Sequence, residues 1–337
     1  MTPRTARPRV AVIGTGGSIS TVGRHSLDLF EYGDFGRTLE VDELLARFPD
    51  VSAAADVVPI RFRALLSTAV GPRDWLELHE IVHSVAARNE RPDGIVITHG
   101  TATLEETAYF LNLTLKVELP VVLVGAQRPP NGLSTDAGLN LVNAVRVAAA
   151  PESRGLGVLV LINDEIQAAR EVTKGSTYRL ETFRSPDLGM LGYVDPDGRV
   201  AIYRAPTRRH APNTEFDVAG RADLPRVDIA YSYAGSDGAA IDALAAGGAA
   251  GIVSAGFAPG RVTPGEWRAL VEARRRGVLV VQSSRAGSGR VLRREREREQ
   301  GIVVADNLNP QKARVLAILA LTVTDDPEQV QRFFEQY

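Results

Sequence analysis

What most constrains this chain is an alternation that begins at its first apolar residues. Short β-branched runs are followed, time after time, by amphipathic stretches of helical period. Val10–Ile13, Val57–Phe62, Gly94–Thr98, Val121–Gly125 and Gly157–Ile162 read as strands. Asp74–Arg88, Leu104–Leu113 and Asp136–Ala149 read as the helices among them. Short apolar runs interleaved with helices predict βαβ units around a parallel sheet, whose strands are apolar throughout because helices cover both faces.

The rhythm breaks once. The segment Arg204–Pro225 is rich in Pro and Arg and has little periodicity, so it reads as a linker over 206–224. The expected domains are therefore 1–205 and 225–337. In the second, Val227–Tyr231, Gly251–Ser254 and Val278–Val281 read as strands, and Asp237–Leu244, Pro264–Arg275, Pro310–Ala320 and Pro327–Gln336 as helices. The alternating charges of Arg293–Glu299 read as a solvated face.

Composition narrows the function. The formal net charge of −2 does not suggest nucleic acid. With no cysteine, disulfides, thiolate zinc sites and a cysteine nucleophile are excluded. No run reaches the ~18 apolar residues of a membrane span, and MTPRTARPRVAVIG lacks an apolar stretch of signal-peptide length, so a cytoplasmic protein is the expectation.

In a parallel sheet, ligands bind beyond the carboxyl ends of the strands, so the loops that follow strands carry the information. Gly14-Thr15-Gly16-Gly17-Ser18 is glycine-rich, but Ile19 stands where a dinucleotide fingerprint needs its third glycine. By spacing alone it is a structural turn or a catalytic loop presenting hydroxyls. In Thr98-His99-Gly100-Thr101-Ala102-Thr103, Thr103 with Glu106 predicts a capping box, whereas Thr101 sits in the turn itself, at a helix start. His99 reads as a packed or turn-bonding histidine. Asp136, after Gly125-Ala126-Gln127-Arg128-Pro129, reads as the cap of the next helix. Lys174, in Arg170-Glu171-Val172-Thr173-Lys174, is either a solvated lysine or, beside a hydroxyl in a dry site, a base.

Taken together and in order, TGGSI, the block from THG through TLEETAYFLNLT, VGAQRP, REVTK, IVSAG, SSR and LNPQKARV resemble the bacterial-type asparaginase/glutaminase family over nearly the whole chain. The resemblance implies the asparaginase fold, an α/β architecture with a larger flavodoxin-like, doubly wound amino-terminal domain and a smaller α/β carboxy-terminal one. It implies self-association as a homodimer or homotetramer, with the neighbour's second domain completing each site. It implies a small-molecule amide as substrate, and no metal or organic cofactor. By position it makes Ser18 the nucleophile, where the family has threonine, and Tyr32 the tyrosine that assists it. Thr101 and Lys174 become the second hydroxyl and its amine. Ser67 becomes the holder of the substrate carboxylate, with Thr68, Gly100 and Ala102 lining the substrate. The expected mechanism is attack by Ser18, an acyl-enzyme and release by water, with N–H groups near Thr101 and Ala102 at the oxyanion.

The departures cluster where the family holds an α-ammonium. The aspartate after the second threonine is Ala102, the glutamine-aspartate pair after the carboxylate-binding serine is Thr68 and Ala69, and the neighbour's asparagine falls on Gly235. An α-ammonium buried without partners costs several kcal/mol. The favoured reading is an amidase whose substrate lacks a free α-amino group. The alternatives are a conventional asparaginase or glutaminase and a non-catalytic binder.

Overall fold

The computed structural model describes residues 7–337, and the chain divides into two compact units between Thr214 and Glu215. In the first, eight strands form one sheet: β1 (Arg9–Gly16), β2 (Asp56–Leu65), β3 (Gly94–Thr98), β4 (Val121–Val124), β5 (Val158–Ile162), β6 (Glu165–Ala168), β7 (Gly192–Val194) and β8 (Val200–Ile202). Five of them run parallel in the order β2-β1-β3-β4-β5. That is the parallel sheet the alternation predicted, in the flavodoxin-like winding that the resemblance implied. β6, β7 and β8 extend the sheet antiparallel beyond β5, an addition that the alternation did not signal.

The strand chemistry follows position. β3, β4 and β5 are central and buried at every residue. β2 lies at an edge and alternates between covered and open positions, so it tolerates Pro59. One face of the sheet packs through Val12, Val96, Val122 and Leu159 against Leu141, Ala144 and Val145 of the helix Ala137–Ala149. Elsewhere in this unit the helices Pro72–Ala86 and Leu104–Thr114 are locked together by stacking of Trp75 on Phe110, with ring centroids 5.2 Å apart.

The second unit has four parallel strands in chain order, β9 (Val227–Tyr231), β10 (Gly251–Gly256), β11 (Leu279–Ser284) and β12 (Val303–Val304). The helix Pro264–Arg275 begins with a true capping box: Thr263 Oγ accepts from the Glu266 N–H and Glu266 accepts from the Thr263 N–H. The helix Pro310–Ala320 is capped by Asn309, which accepts from Lys312 N–H.

Two expectations are refined. The stretch read as a linker is shared out. Ala211 N–H donates to the Asn112 carbonyl and the Thr214 hydroxyl donates to the Leu113 carbonyl, both in the first unit. Phe216 is buried in the second, against Phe333 and Tyr337. The charged run is not a solvated face throughout either. Glu297 is fully buried, bonded to Arg294 and Arg296, and Arg296 lies 3.8 Å over the Trp267 ring. Shortening Phe216 to alanine should cost about 3–5 kcal/mol, read as an earlier unfolding midpoint in urea.

Candidate active site

In a 2-1-3-4-5 sheet the connections from β1 and β3 leave in opposite directions, which opens a crevice at their carboxyl ends. The turn after β1 and the turn after β3 both meet there. Thr15 fastens the two strands, its hydroxyl donating to the Thr98 carbonyl at 2.8 Å. Gly17 has φ +80°, and a Cβ on it would sit 2.1 Å from Gly100 Cα. A Cβ on Gly100 would in turn sit 2.6 Å from Ser67 Cβ and Oγ. Backbone therefore rests on backbone between Gly17 and Gly100, and the third loop closes on Gly100 through the Ser67 side chain.

On this base the hydroxyls are arranged. Ser18 is half-buried, and its Oγ donates to the Ala126 carbonyl. The Tyr32 phenol is within the electrostatic reach of Ser18. Burial pushes that phenol above its ordinary value, and the Ser18 contact opposes the rise. Thr101 is buried; its Oγ donates to Gln127 Oε1 at 3.1 Å and accepts from Lys174 Nζ at 2.7 Å. Both hydroxyls thus face one turn, Ala126-Gln127, from its backbone and from its side chain. Lys174 is not a solvated lysine. Burial lowers its pKa below 10.5, against the opposing charge of Glu105.

Ser67 lies beside Gly100 and accepts the Ala102 N–H at 3.3 Å. That N–H was expected at the oxyanion and is here engaged with Ser67. The capping box expected of Thr103 and Glu106 gives way to a different bond: the Thr103 hydroxyl donates to the Ser67 carbonyl at 2.7 Å. A tertiary neighbour has outcompeted the local partner. Thr68 and Ala69 are exposed in a short 3-10 turn, and Ala102 is exposed across from them.

His99 is wholly buried, with Nδ1 against the Gly100 carbonyl at 2.8 Å and Nε2 3.0 Å from the Thr107 hydroxyl. The Trp75 indole N–H donates to that hydroxyl at 3.0 Å, so Thr107 gives its own proton to Nε2 and His99 donates from Nδ1. Burial drives the His99 pKa from 6.5 to about 4. It is a neutral turn-holder rather than a general base.

Three supporting residues carried no role at the site in the sequence reading, which made Asp136 a helix cap and gave Glu105 and Gln127 none. Asp136 accepts from the Gln127 and Arg128 N–H groups at 2.9 and 3.0 Å and so holds the turn after β4; its carboxylate makes no cap bond to its own helix. Glu105 accepts from the Thr173 hydroxyl and the Lys174 N–H at 3.1 and 3.2 Å. Gln127 reaches Thr101 directly. Their signal was position alone, as polar residues just past a strand end or in the first turn of the following helix. Among the described residues no group of acidic or histidine side chains could hold a metal.

Residues 9–208 match the family model described as "Asparaginase, N-terminal", and residues 226–334 match the "Glutaminase/Asparaginase C-terminal domain". The chain is 39% identical to "L-asparaginase 2" of Bacillus subtilis (strain 168), over 98% of this chain and 87% of that one. It is 40% identical to the "Glutaminase-asparaginase" of Pseudomonas fluorescens biotype A, over 99% and 92%. The crystal structure of a "Probable Cytoplasmic L-asparaginase" from Campylobacter jejuni superposes with a TM-score of 0.94 at 40% identity, covering 98% of this chain and 100% of that one. A Haemophilus influenzae relative at 41% identity, over 98% of this chain and 93% of that one, is named "Probable L-asparaginase periplasmic".

Two outcomes follow from this geometry. Gly17→Ala should abolish activity and lower the unfolding midpoint, whereas Gly33→Ala, with nothing within 4 Å of the added methyl, should leave the midpoint within experimental error. For His99 the folded pKa is depressed, so its stability contribution is intact above pH 6.5 and lost as pH falls toward about 4. The loss is on the order of 3 kcal/mol. Unfolding free energies of His99→Gln should fall less over that window than those of the unmodified chain.

Proposed function

This chain belongs to the asparaginase/glutaminase family of amidohydrolases, and on that premise we propose that it opens the carboxamide of a substrate without a free α-ammonium, through an acyl-enzyme on Ser18. Ser18 Oγ, with Tyr32 against it, adds to the amide carbon and the C–N bond breaks. Over acylation one proton leaves Ser18 and one arrives on the leaving nitrogen. Over deacylation water supplies hydroxyl to the acyl carbon and a proton to Ser18. Thr101 and Lys174 carry the proton to and from the reacting atoms, and Ser67 anchors the substrate's carboxylate beside Gly100. No cofactor is called for.

The observation that carries this reading is that, among the described residues, no free carboxylate stands at the Ala102 end of the site. Ala102, Thr68 and Ala69 offer no charge, and the acids nearby are committed. Glu105 holds Thr173 and Lys174, Asp136 holds the turn after β4, and Asp74 accepts from the Gly71 N–H and from Arg63. An α-ammonium would be desolvated against alanine and threonine. A penalty of about 3 kcal/mol corresponds to roughly a hundredfold weaker binding of L-asparagine.

A second reading, a conventional L-asparaginase or glutaminase, is favoured by the names of the relatives. Self-association as a homodimer or homotetramer belongs to either reading, supported by the exposed rings of Tyr203 on the first unit and Tyr231 and Tyr233 on the second.

Ammonia release from L-asparagine and from succinamate, the same molecule without its α-amino group, separates the readings. Succinamate is expected to be hydrolysed and L-asparagine poorly; preference for L-asparagine would overturn the substrate assignment. Ser18→Ala should stop acyl-enzyme formation, seen by mass spectrometry of the quenched enzyme. Because burial depresses Lys174, its proton-donating form is lost on the alkaline side below pH 10.5, and kcat/KM should decline there.

A further inference from the structure

Gln127 is bound on all sides by groups whose direction is settled. Its backbone N–H is held by Asp136. Its Nε2 faces two backbone carbonyls, those of Thr177 at 3.4 Å and Arg179 at 3.1 Å. Carbonyl oxygens accept and cannot donate, so the amide nitrogen must be on that side. The amide oxygen is then the only atom left to face Thr101, at 3.1 Å. An oxygen facing a hydroxyl makes that hydroxyl the donor. Thr101 has one proton, and this arrangement spends it on Gln127. Toward Lys174, 2.7 Å away, Thr101 can present only lone pairs.

We propose that Gln127 is the positioning residue that makes Thr101 an acceptor from Lys174 and a donor toward the leaving group, with the loop 177–179 as the fixed reference for its orientation. The proposal rests on the reading of Thr101 and Lys174 as the proton carriers. In the resting site the Thr101 proton is parked on Gln127 Oε1. When an amide is bound, the leaving nitrogen competes for that proton. Thr101 gives it to nitrogen and takes one from Lys174 Nζ in the same motion. The proton released by Ser18 restores Lys174, so acylation balances without any further reactant. A methionine at this position would free the Thr101 proton to turn onto the lysine nitrogen, which stabilises the neutral amine and idles the relay. Gln127 acts through Thr101, its amide being taken up by that hydroxyl and by the two loop carbonyls. Its loop contacts also tie Thr101 to the chain around Tyr178, whose ring meets Phe30, two residues from Tyr32, at 6.3 Å between centroids.

The test compares Gln127→Met, which removes both acceptor and donor, with Gln127→Glu, which keeps an acceptor toward Thr101 and adds negative charge. Two readouts are taken. The first needs no substrate: the pH dependence of cyanate carbamylation at Lys174, followed by peptide mass spectrometry. Its midpoint should move down in Gln127→Met and up in Gln127→Glu. Simple loosening of the site would speed the reaction at every pH without moving the midpoint. The second is turnover of whichever of succinamate and L-asparagine the unmodified enzyme prefers, where Gln127→Met should lower kcat roughly tenfold with KM changed less than about twofold, the size of one lost orienting hydrogen bond. An unmoved Lys174 midpoint in Gln127→Met overturns the proposal, whatever the substrate proves to be. So does a lowered unfolding midpoint with kcat intact, which would leave Gln127 a packing residue only.

Discussion

The contact on which the site depends is the seating of Gly17 on Gly100. Two strand-end turns from opposite sides of the winding switch come within backbone contact, and the third loop reaches them through Ser67. The groups proposed to carry the chemistry are hung from this point. Ser18 follows Gly17, Thr101 follows Gly100, and Ser67 lies against Gly100. A methyl group at either glycine would part the turns by more than hydrogen bonds can span. The left-handed φ of Gly17 and the buried bond from His99 to the Gly100 carbonyl hold the two sides in place without using any group that the reaction needs.

Around that contact the charges are arranged with economy. The acids close to the crevice act on backbone: Asp136 receives two N–H groups, and Glu105 receives the Lys174 N–H together with the Thr173 hydroxyl. Lys174, half-buried and with Glu105 opposing its desolvation, is held short of the full stability of its charged form. That is the condition in which a lysine exchanges protons readily with a neighbouring hydroxyl. Meanwhile the exposed Ala102, Thr68 and Ala69 leave one end of the crevice neutral, which bears on the substrate rather than on the chemistry.

Much of this was legible in advance. Gly94–Thr98, Val227–Tyr231, Pro264–Arg275 and Pro310–Ala320 stand within the limits their periodicity and capping residues set. What misled was local chemistry with a stronger tertiary competitor. Thr103 had a capping partner three residues on, and bonds to Ser67 instead. Asp136 stood at a helix start, and serves the preceding turn. Glu297 sat in a run of alternating charge, and is buried between two arginines with Trp267 close by. Each of these side chains is short or polar enough to bond in either place, and its choice depends on what the fold brings near.

The sequence by itself determined the parallel α/β winding and the two-part division, and it singled out the strand-end loops to which function is assigned in the proposal. Those properties follow from hydrophobic period, glycine placement and strand-end position, which are written along the chain. Only the tertiary structure decided which way each proton points. The amide of Gln127 could face either way until two carbonyls from residues 177 and 179 fixed its nitrogen. Lys174 could be a solvated cation until burial and the Thr101 hydroxyl made it a partner in the site. Hydrogen-bond direction is a property of neighbours in space, and for Thr101 those neighbours lie 26 and 73 residues away.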